Sequence, residues 1–498
     1  MGLTRRLAAL WVLLSLALTG CQSRTSDAIR FGLASAPINL DPRYATDATS
    51  ERVNRLLYRA LVRYDQDARP IPDLATWRMF SPRLYRFTLG SDGRRFHDGS
   101  RLTAADVAAT YRSIIDPGTA SPHRAELVEI ERIRVLDDDR VDFFLSRPDA
   151  LFPAYLNVGI LSAARNAAGE APATHPVGSG PFRFVRWPQS GRLELARVAD
   201  GQPFVFETVA DATMRVLKLV RGEIDLLQND LPPELVGWLA RRADVRVLRL
   251  RGDNFSYLGF NLEDPALRDL DVRRAIALAL DRDAIIHYLL ADGARPASSL
   301  LPPEHWAGGR GLATIRSDLD LARRLLAGAG YSRDNPLRLT YKTSADPLRL
   351  RIATVIQQQL GEVGIVLNIR SYDWGTFYGD IKAGRFQLFS LAWVGVRTPD
   401  IFRYAFHSAS LPPDGANRGH LRDARVDGLI EAAEASPTID AKAQVYRRLQ
   451  ALLLETLPVV PLWYEDQFAA VRPTVSGYAL ATDGDYDALA GVRRVSGR

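Results

Sequence analysis

Between Leu337 and Trp393 the chain alternates strand-like and helix-like segments in a fixed order. A strand from Leu337 to Tyr341 precedes a helix from Leu348 to Gly361, a strand from Ile365 to Arg370, a short helix from Trp374 to Ala383 and a strand from Phe386 to Trp393. Strand–helix–strand order with crossovers of this length predicts an α/β unit with a largely parallel sheet, because parallel neighbours need a long connection between them. In such sheets ligands lie in crevices beyond the carboxyl ends of the strands. The loops after Tyr341, Arg370 and Trp393 are therefore the first places to look for a site.

That unit uses a small part of 498 residues, so two or three folding units are expected. Ile29 to Leu33 alternates like a strand, and residues 51 to 62 place Val53, Leu56, Leu57, Ala60 and Leu61 at helical spacing. A strand fits Leu84 to Leu89. Thr103 and Asp106 form a capping box at the start of a helix. Strands from Arg132 to Leu136 and Arg140 to Leu145 flank Asp137-Asp138-Asp139, of which Asp138 and Asp139 have hairpin-turn character; the triplet lacks the Gly and distal Glu of a calcium loop. Asp271 to Leu290 has the apolar spacing of one long helix, and Ser317 to Ala327 of another, with Ser317 and Asp320 as its capping box.

The first residues are of another kind. Arg5 and Arg6 precede an apolar run from Leu7 to Leu18, followed by Leu18-Thr19-Gly20-Cys21. A basic pair, a short apolar core and small residues before a cut site describe an export signal, and the run is shorter than the roughly 20 residues that span a bilayer. Cys21 is the sole cysteine and has no partner for an internal disulfide. Residues 1–20 are read as a signal peptide and 21–28 as a polar tether.

The formal net charge is +6, of which Arg5 and Arg6 supply two. Lys218, Lys342, Lys382 and Lys442 are the four lysines, and the arginines are scattered among Asp and Glu rather than clustered with aromatics, so no nucleic-acid surface is indicated. No Gly-x-Ser-x-Gly elbow, phosphate loop or His-Glu-x-x-His motif occurs. His97, His123, His175, His287, His305, His407 and His420 show no metal-ligand spacing. No cofactor, no metal and no enzyme activity are expected.

Several segments together resemble one family, the extracellular solute-binding proteins of the oligopeptide, dipeptide and nickel class. His97-Asp98-Gly99 with Leu102 to Val107 is similar to its FHDG-x-x-LTA-x-DV segment, and Gly178-Ser179-Gly180-Pro181-Phe182 to its GTGPF turn. Leu258-Gly259-Phe260-Asn261, Val272 to Ala277 and Asp281-Arg282 resemble its FN…VRRAIA…DR block. Leu321 to Leu326 with Ala329-Gly330-Tyr331, Ile356 to Leu360 with Gly364-Ile365, and Asn417 with Asp427 follow in the family's order. Leu-Thr-Gly-Cys resembles a bacterial lipobox, which implies a lipid on Cys21.

The resemblance implies a periplasmic-binding-protein-like α/β fold (type II, cluster C), with two ligand-binding lobes, a hinge and an inserted third domain. One lobe would comprise 29–58, 176–263 and 471–498, the inserted domain 59–175, and the other lobe 264–470. It further implies a monomeric lipoprotein at the periplasm or cell surface that hands a peptide or peptide-like solute to the permease of an ABC importer. Gln22 is not the Asp that favours inner-membrane retention, so anchoring to either membrane stays open. The same scaffold binding a metal chelate, sugar or other solute is the alternative; a secreted hydrolase and a chaperone-like or signalling role are further ones.

In peptide-binding relatives the peptide lies between the lobes as an extended strand held by main-chain hydrogen bonds. By this resemblance Ser35, Ala36, Lys342, Trp374, Trp393, Val396 and Asp400 are candidate ligand-binding residues. Lys342 lies where relatives place a cation for the peptide carboxylate. Trp374 and Trp393 are open to two readings, stacking on the ligand or packing in the core. Relatives carry an Asp about three residues past the second Trp, which pairs with the peptide's α-amine; here that residue is Val396. Either Asp400 takes the amine, or the ligand has no free amine there, and Arg397 could favour an anionic group.

Overall fold

The computed structural model describes residues 27–189, 191–413 and 415–495, so Cys21 and the export signal lie outside the described residues. In chain order the strands are β1 (Ile29–Leu33), β2 (Val62–Tyr64), β3 (Pro70–Pro72), β4 (Ala75–Ser81), β5 (Leu84–Leu89), β6 (Ile130–Val135) and β7 (Arg140–Leu145). They continue as β8 (Phe182–Gln189), β9 (Arg192–Arg197), β10 (Pro203–Thr208), β11 (Leu226–Gln228), β12 (Arg246–Phe260) and β13 (Ala294–Pro296). The last of interest are β14 (Arg338–Ser344), β15 (Val366–Tyr372), β16 (Leu388–Trp393) and β17 (Val459–Val471).

One mixed sheet runs β15-β14-β16-β12-β17-β11-β1-β10-β9-β8, with β13 added beside β17. At one end β14 is parallel to both β15 and β16, as the βαβαβ order requires. At the other β1 is parallel to β10 and β11. Along the sheet the two ends are joined through β12 and β17. These strands pair with each other in antiparallel fashion, while β17 also pairs with β11 and β12 with β16. Their ladder is interrupted between Leu250 and Asn254, where a bulge falls midway along both strands. Gly252 sits in that bulge because a Cβ there would lie 2.2 Å from the Glu465 carbonyl oxygen. A twisted two-strand bridge with a break in its ladder is a natural place for bending.

Each part of the sheet has its own core. Val272, Ile276, Ile356 and Leu360 pack from helices onto Leu339, Tyr341 and Leu388 of β14 and β16. Phe377, Phe402, Tyr446 and Trp306 form a neighbouring core. Around β1, Phe31 packs with Phe204, Phe206, Tyr478 and Tyr486. Residues 61–160 close a separate core around the sheet β4-β5-β7-β6, in which Phe87, Tyr111, Phe143 and Phe152 are fully buried. Burying one such side chain contributes roughly 1.5–3 kcal/mol, so each core can hold its part together.

The capping box of Thr103 and Asp106 is present, and Asp106 also accepts from the Ala163 N–H at 2.8 Å. The hairpin through Asp137, Asp138 and Asp139 joins β6 to β7. Two expectations are corrected. Asp271 to Leu290 is two helices, Leu270–Ala279 and Arg282–Leu290, because the Asp281 carboxylate accepts from Ala284 N–H and starts a new helix there. The helix Leu319–Gly328 is capped by Asp318, not Ser317, its carboxylate accepting from Leu321 N–H at 2.8 Å.

The two segments His97-Asp98-Gly99 and Gly178 to Phe182 turn out to hold each other. The His97 ring accepts the Gly178 N–H at Nδ1 (3.3 Å) and donates from Nε2 to the Gly180 carbonyl (3.0 Å), while the His97 N–H donates to the Gly178 carbonyl (2.8 Å). Gly178 and Gly180 press on the end of the helix Ala48–Leu57: a Cβ would lie 2.0 Å and 2.3 Å from the Leu57 and Leu56 carbonyl oxygens. Glycine is required by this close approach.

Candidate functional site

Beyond β16 the chain leaves the sheet through Val394 to Thr398 and re-enters structure at the helix Ile401–Phe406. This turn forms one wall of a cavity of about 1880 Å³. The remaining walls come from distant stretches: Glu51 and Arg55 of the helix Ala48–Leu57, Tyr64 of β2, Glu126 and Tyr155 from the segment with its own core, and Lys442 of the helix Ile439–Thr456. The cavity thus lies where the three parts of the molecule face one another.

Of the residues expected from the sequence, Trp393, Val396 and Asp400 line this cavity, and Ser35, Ala36, Lys342 and Trp374 are not among its lining. Ser35 is exposed and its hydroxyl is 3.1 Å from that of Thr49. Lys342 donates to Asp380 of the helix Trp374–Lys382 at 2.5 Å and lies over the Tyr372 ring, so its charge is matched by the neighbouring helix. Trp374 is 59% exposed and stacks on Tyr378 at 5.5 Å. Of the three loops that end β14, β15 and β16, only the last reaches the cavity.

Trp393 has two neighbours, one cationic and one aromatic. The Arg418 guanidinium lies 4.9 Å from its ring centroid, and Tyr404 meets it edge-on at 6.2 Å. Arg418 is buried, donates to the hydroxyls of Tyr257 (3.1 Å) and Tyr378 (3.2 Å), and has no carboxylate partner among the described residues. It does not line the large cavity; it borders a void of about 20 Å³ behind Trp393.

Asp400 accepts a 2.6 Å hydrogen bond from the Tyr155 hydroxyl, a contact between the loop after β16 and the segment with its own core. Burial pushes its carboxyl up to about 6 against the opposing pull of that hydrogen bond. Arg397 points the other way. Its guanidinium is 3.0 Å from Asp483 and lies over the Tyr64 ring at 5.5 Å, and its carbonyl accepts from His305 Nε2 at 3.1 Å. Arg55 also contacts Asp483, Asp485 and Asp487, at 3.3, 3.1 and 3.0 Å. Burial works to raise Asp483, but Arg397 and Arg55 hold it below the usual carboxylate range; burial and Asp483 together push Asp485 to about 7. Lys442 is 3.6 Å from Asp149. Glu51 and Glu126, elsewhere on the wall, make no ion pair among the described residues, and burial and Glu51 raise Glu126.

Sequence reasoning missed Tyr64, Tyr155, Arg55, Arg418 and the acidic stretch from Asp483 to Asp487. They lie in stretches hundreds of residues apart, and only the fold brings them together. Among the described residues no group of three His, Cys, Asp or Glu is placed to hold a metal, and no helix is long and apolar enough to cross a membrane.

Two α/β halves joined by a pair of long crossing strands, with a third part inserted in one and a cavity between them, define a type II periplasmic binding protein. Residues 69–410 match the model of the bacterial extracellular solute-binding proteins, family 5, and the chain belongs to that family. It is 29% identical over 487 residues to di/tripeptide-binding protein 2 of Pseudomonas aeruginosa, covering 90% of this chain and 91% of that one. It is 27% identical over 530 residues to heme-binding protein A of Haemophilus influenzae, covering 96% and 94%. Among solved structures, the ABC transporter substrate-binding protein CtaP of Listeria monocytogenes superimposes with a TM-score of 0.83 at 22% identity, over 94% of this chain and 99% of that one.

Proposed function

We propose that this chain is the solute-capturing component of an ABC importer, and that it takes a peptide or peptide-like solute into the cavity between its lobes. The observation that carries this reading is the cavity of about 1880 Å³, walled by three separately packed parts whose halves are joined through the bulged β12–β17 bridge. Closing of such halves around a ligand is a hinge motion that a membrane partner can read. The likeness to a di/tripeptide-binding protein over nine-tenths of both chains supports a peptide as cargo.

In this reading 29–58, 176–263 and 471–498 form one lobe, 59–175 the inserted domain and 264–470 the other lobe, with β12 and β17 crossing between lobes. Trp393, Val396 and Asp400 face the solute; Ser35, Ala36, Lys342 and Trp374 act at most from the rim. Cys21 carries a lipid that tethers a monomer at the periplasmic or outer face of the membrane, where the permease of the importer is the partner. The protein acts by binding, without turnover.

A second reading, capture of a non-peptide solute on the same scaffold, is favoured by Val396 at the cavity wall and by the likeness to a heme-binding protein. Native mass spectrometry of gently purified protein with Cys21 replaced separates the two. A bound mass of a few hundred daltons that fragments into amino acids supports the first reading, and one without amino-acid fragments the second. Protein that is empty and ignores both peptide and chelate libraries would overturn capture for import.

A further inference from the structure

Strands of the inserted sheet β4-β5-β7-β6 turn alternate residues to opposite faces. On one face Tyr85, Phe87, Ile133, Val141 and Phe143 are buried in a core that the helix Ala104–Ile115 completes with Tyr111. The other face is basic. Arg78 of β4, Arg86 of β5, Asp142 of β7 and Arg134 of β6 stand across it in register, and a second row places Arg132 of β6 beside Phe144 of β7. Arg78, Arg132 and Arg134 are exposed to solvent.

The charge on this face is one-sided. Asp142 answers Arg86 at 2.7 Å and Arg134 at 2.8 Å with a single carboxylate. Arg78 and Arg132 have no carboxylate partner among the described residues; they lie over the rings of Phe80 and Phe144, at 5.1 and 3.9 Å. At the margin Arg140 is matched by Asp137, and Glu131 stands at the irregularity of β6. A guanidinium stacked on a ring keeps the N–H donors of its edge, and those donors fit phosphate oxygens two at a time.

Beside these arginines the β4–β5 hairpin ends in an apolar tip. Met79 and Phe80 are 46% and 49% exposed, with Arg78 before them and Arg83 and Arg86 after. Four paired strands make this a broad face, roughly 14 Å from β4 to β6 at the usual strand spacing. Basic groups around exposed apolar side chains suit a bilayer surface, where the charges meet headgroups and the apolar tip enters the acyl boundary. An acidic protein or a nucleic acid would match the arginines and give Met79 and Phe80 no apolar medium.

We infer that the outer face of the inserted sheet docks on membranes, taking the phosphate headgroups of anionic phospholipids on Arg78, Arg86, Arg132 and Arg134 and seating Phe80 at the acyl boundary. The contact needs no lipid on Cys21. It lies on the face of the sheet opposite to the core of the inserted part.

The test is co-flotation of the chain, freed of residues 1–20 and with Cys21 replaced, on two kinds of vesicle: phosphatidylcholine alone, and equal parts phosphatidylcholine and phosphatidylglycerol. The anionic vesicles should carry the chain in dilute buffer and release it in high salt, and the neutral ones should not carry it. Arg78→Gln with Arg132→Gln should weaken binding on the order of tenfold or more. Arg316→Gln with Arg333→Gln removes the same charge from exposed positions of the other lobe and should leave binding as it was. Phe80→Ser should weaken binding while leaving its salt dependence unchanged. Melting curves show whether each variant is folded, and the lipid and salt arms on the unmodified chain stand without them. No flotation with anionic vesicles in dilute buffer would overturn the inference. Equal weakening by the two double variants would overturn it in favour of net charge. Capture by immobilised polyglutamate and not by vesicles would overturn it in favour of an acidic protein partner.

Discussion

The Arg397 guanidinium stands 3.0 Å from the Asp483 carboxylate, and this pair ties the loop after β16 to the C-terminal segment. Both side chains are mostly buried, 22% and 16% exposed. Asp483 keeps Arg55 as a second partner at 3.3 Å, so removing Arg397 does not leave a bare buried charge. Arg397→Gln is therefore expected to cost about 1–2 kcal/mol, less than the break of an isolated buried pair. The more telling change is in shape. The variant should show a larger radius of gyration by X-ray scattering in the absence of solute, and urea unfolding gives the energy. An unchanged radius would mean that the pair does not hold the lobes together.

His97 and Gly180 make a second such relationship, entirely structural. Gly180→Ala would drive a Cβ to 2.3 Å from the Leu56 carbonyl oxygen, where the backbone cannot yield cheaply, and a loss of about 2 kcal/mol or more is expected in urea. His97 adds a pH signature. Burial lowers its pKa, and its Nδ1 must stay unprotonated to accept the Gly178 N–H. The unfolded chain therefore binds the proton more readily, so this contribution is full above about pH 6.5 and fades as pH falls below it. His97→Asn should flatten that part of the stability–pH curve.

How far the sequence reached can be followed through these residues. Periodicity and caps were enough to place β1, the capping box at Thr103 and Asp106, and the βαβαβ unit, because each is written in neighbouring residues. The break at Asp281 was invisible, since apolar spacing runs on through Leu280 while one carboxylate restarts the helix. On the cavity wall, Trp393, Val396 and Asp400 were within reach of the sequence because Trp393 ends β16 and the other two follow in the loop after it. Lys342 sits on a strand of the expected unit, yet its charge goes to Asp380, a partner no local pattern reveals. Tyr155 and Arg418 were out of reach for the same reason. Their meaning arises only when Tyr155 meets Asp400 and Arg418 meets Trp393, contacts across 245 residues and across two elements of one lobe.

Asp142 tests the independence of the inserted part. Its side chain is fully buried in the sheet β4-β5-β7-β6 and accepts from Arg86 at 2.7 Å and Arg134 at 2.8 Å. Burial works to raise its carboxyl, but Arg86 and Arg134 together hold it below the usual range, so its stabilisation is present above the unfolded pKa near 4 and lost as pH falls through its lower folded value. Asp142→Ala would leave two arginines without their carboxylate. A loss of about 3 kcal/mol is expected, moderated by the partial exposure of both. It should show in calorimetry as an early transition confined to this part, with hydrogen exchange quickening in β5 to β7 and not in β14 to β16. A single transition lowered as a whole would show instead that the inserted part unfolds only with its neighbours.

Asp400 carries the opposite pH sign. Burial raises its carboxyl from the usual carboxylate range to about 6, so the folded protein holds a proton that the unfolded chain releases near pH 4. Stability from this group is thus greatest below pH 4 and declines as pH rises through 6, the unfolded state binding fewer protons across that window. At pH 7.5 the ionised carboxylate is a net burden, limited to no more than about 3 kcal/mol by a shift of roughly two units. Asp400→Asn keeps an oxygen that can accept from the Tyr155 hydroxyl while removing the charge. It should melt higher than the unmodified protein at pH 7.5, and the gap should close near pH 4. Tyr155→Phe removes the 2.6 Å donor and should widen the burden at neutral pH. If Asp400→Asn melts lower at pH 7.5 by the same margin as at pH 4, the carboxylate is needed in its ionised form, and a cation that pairs with it must be sought in the cleft.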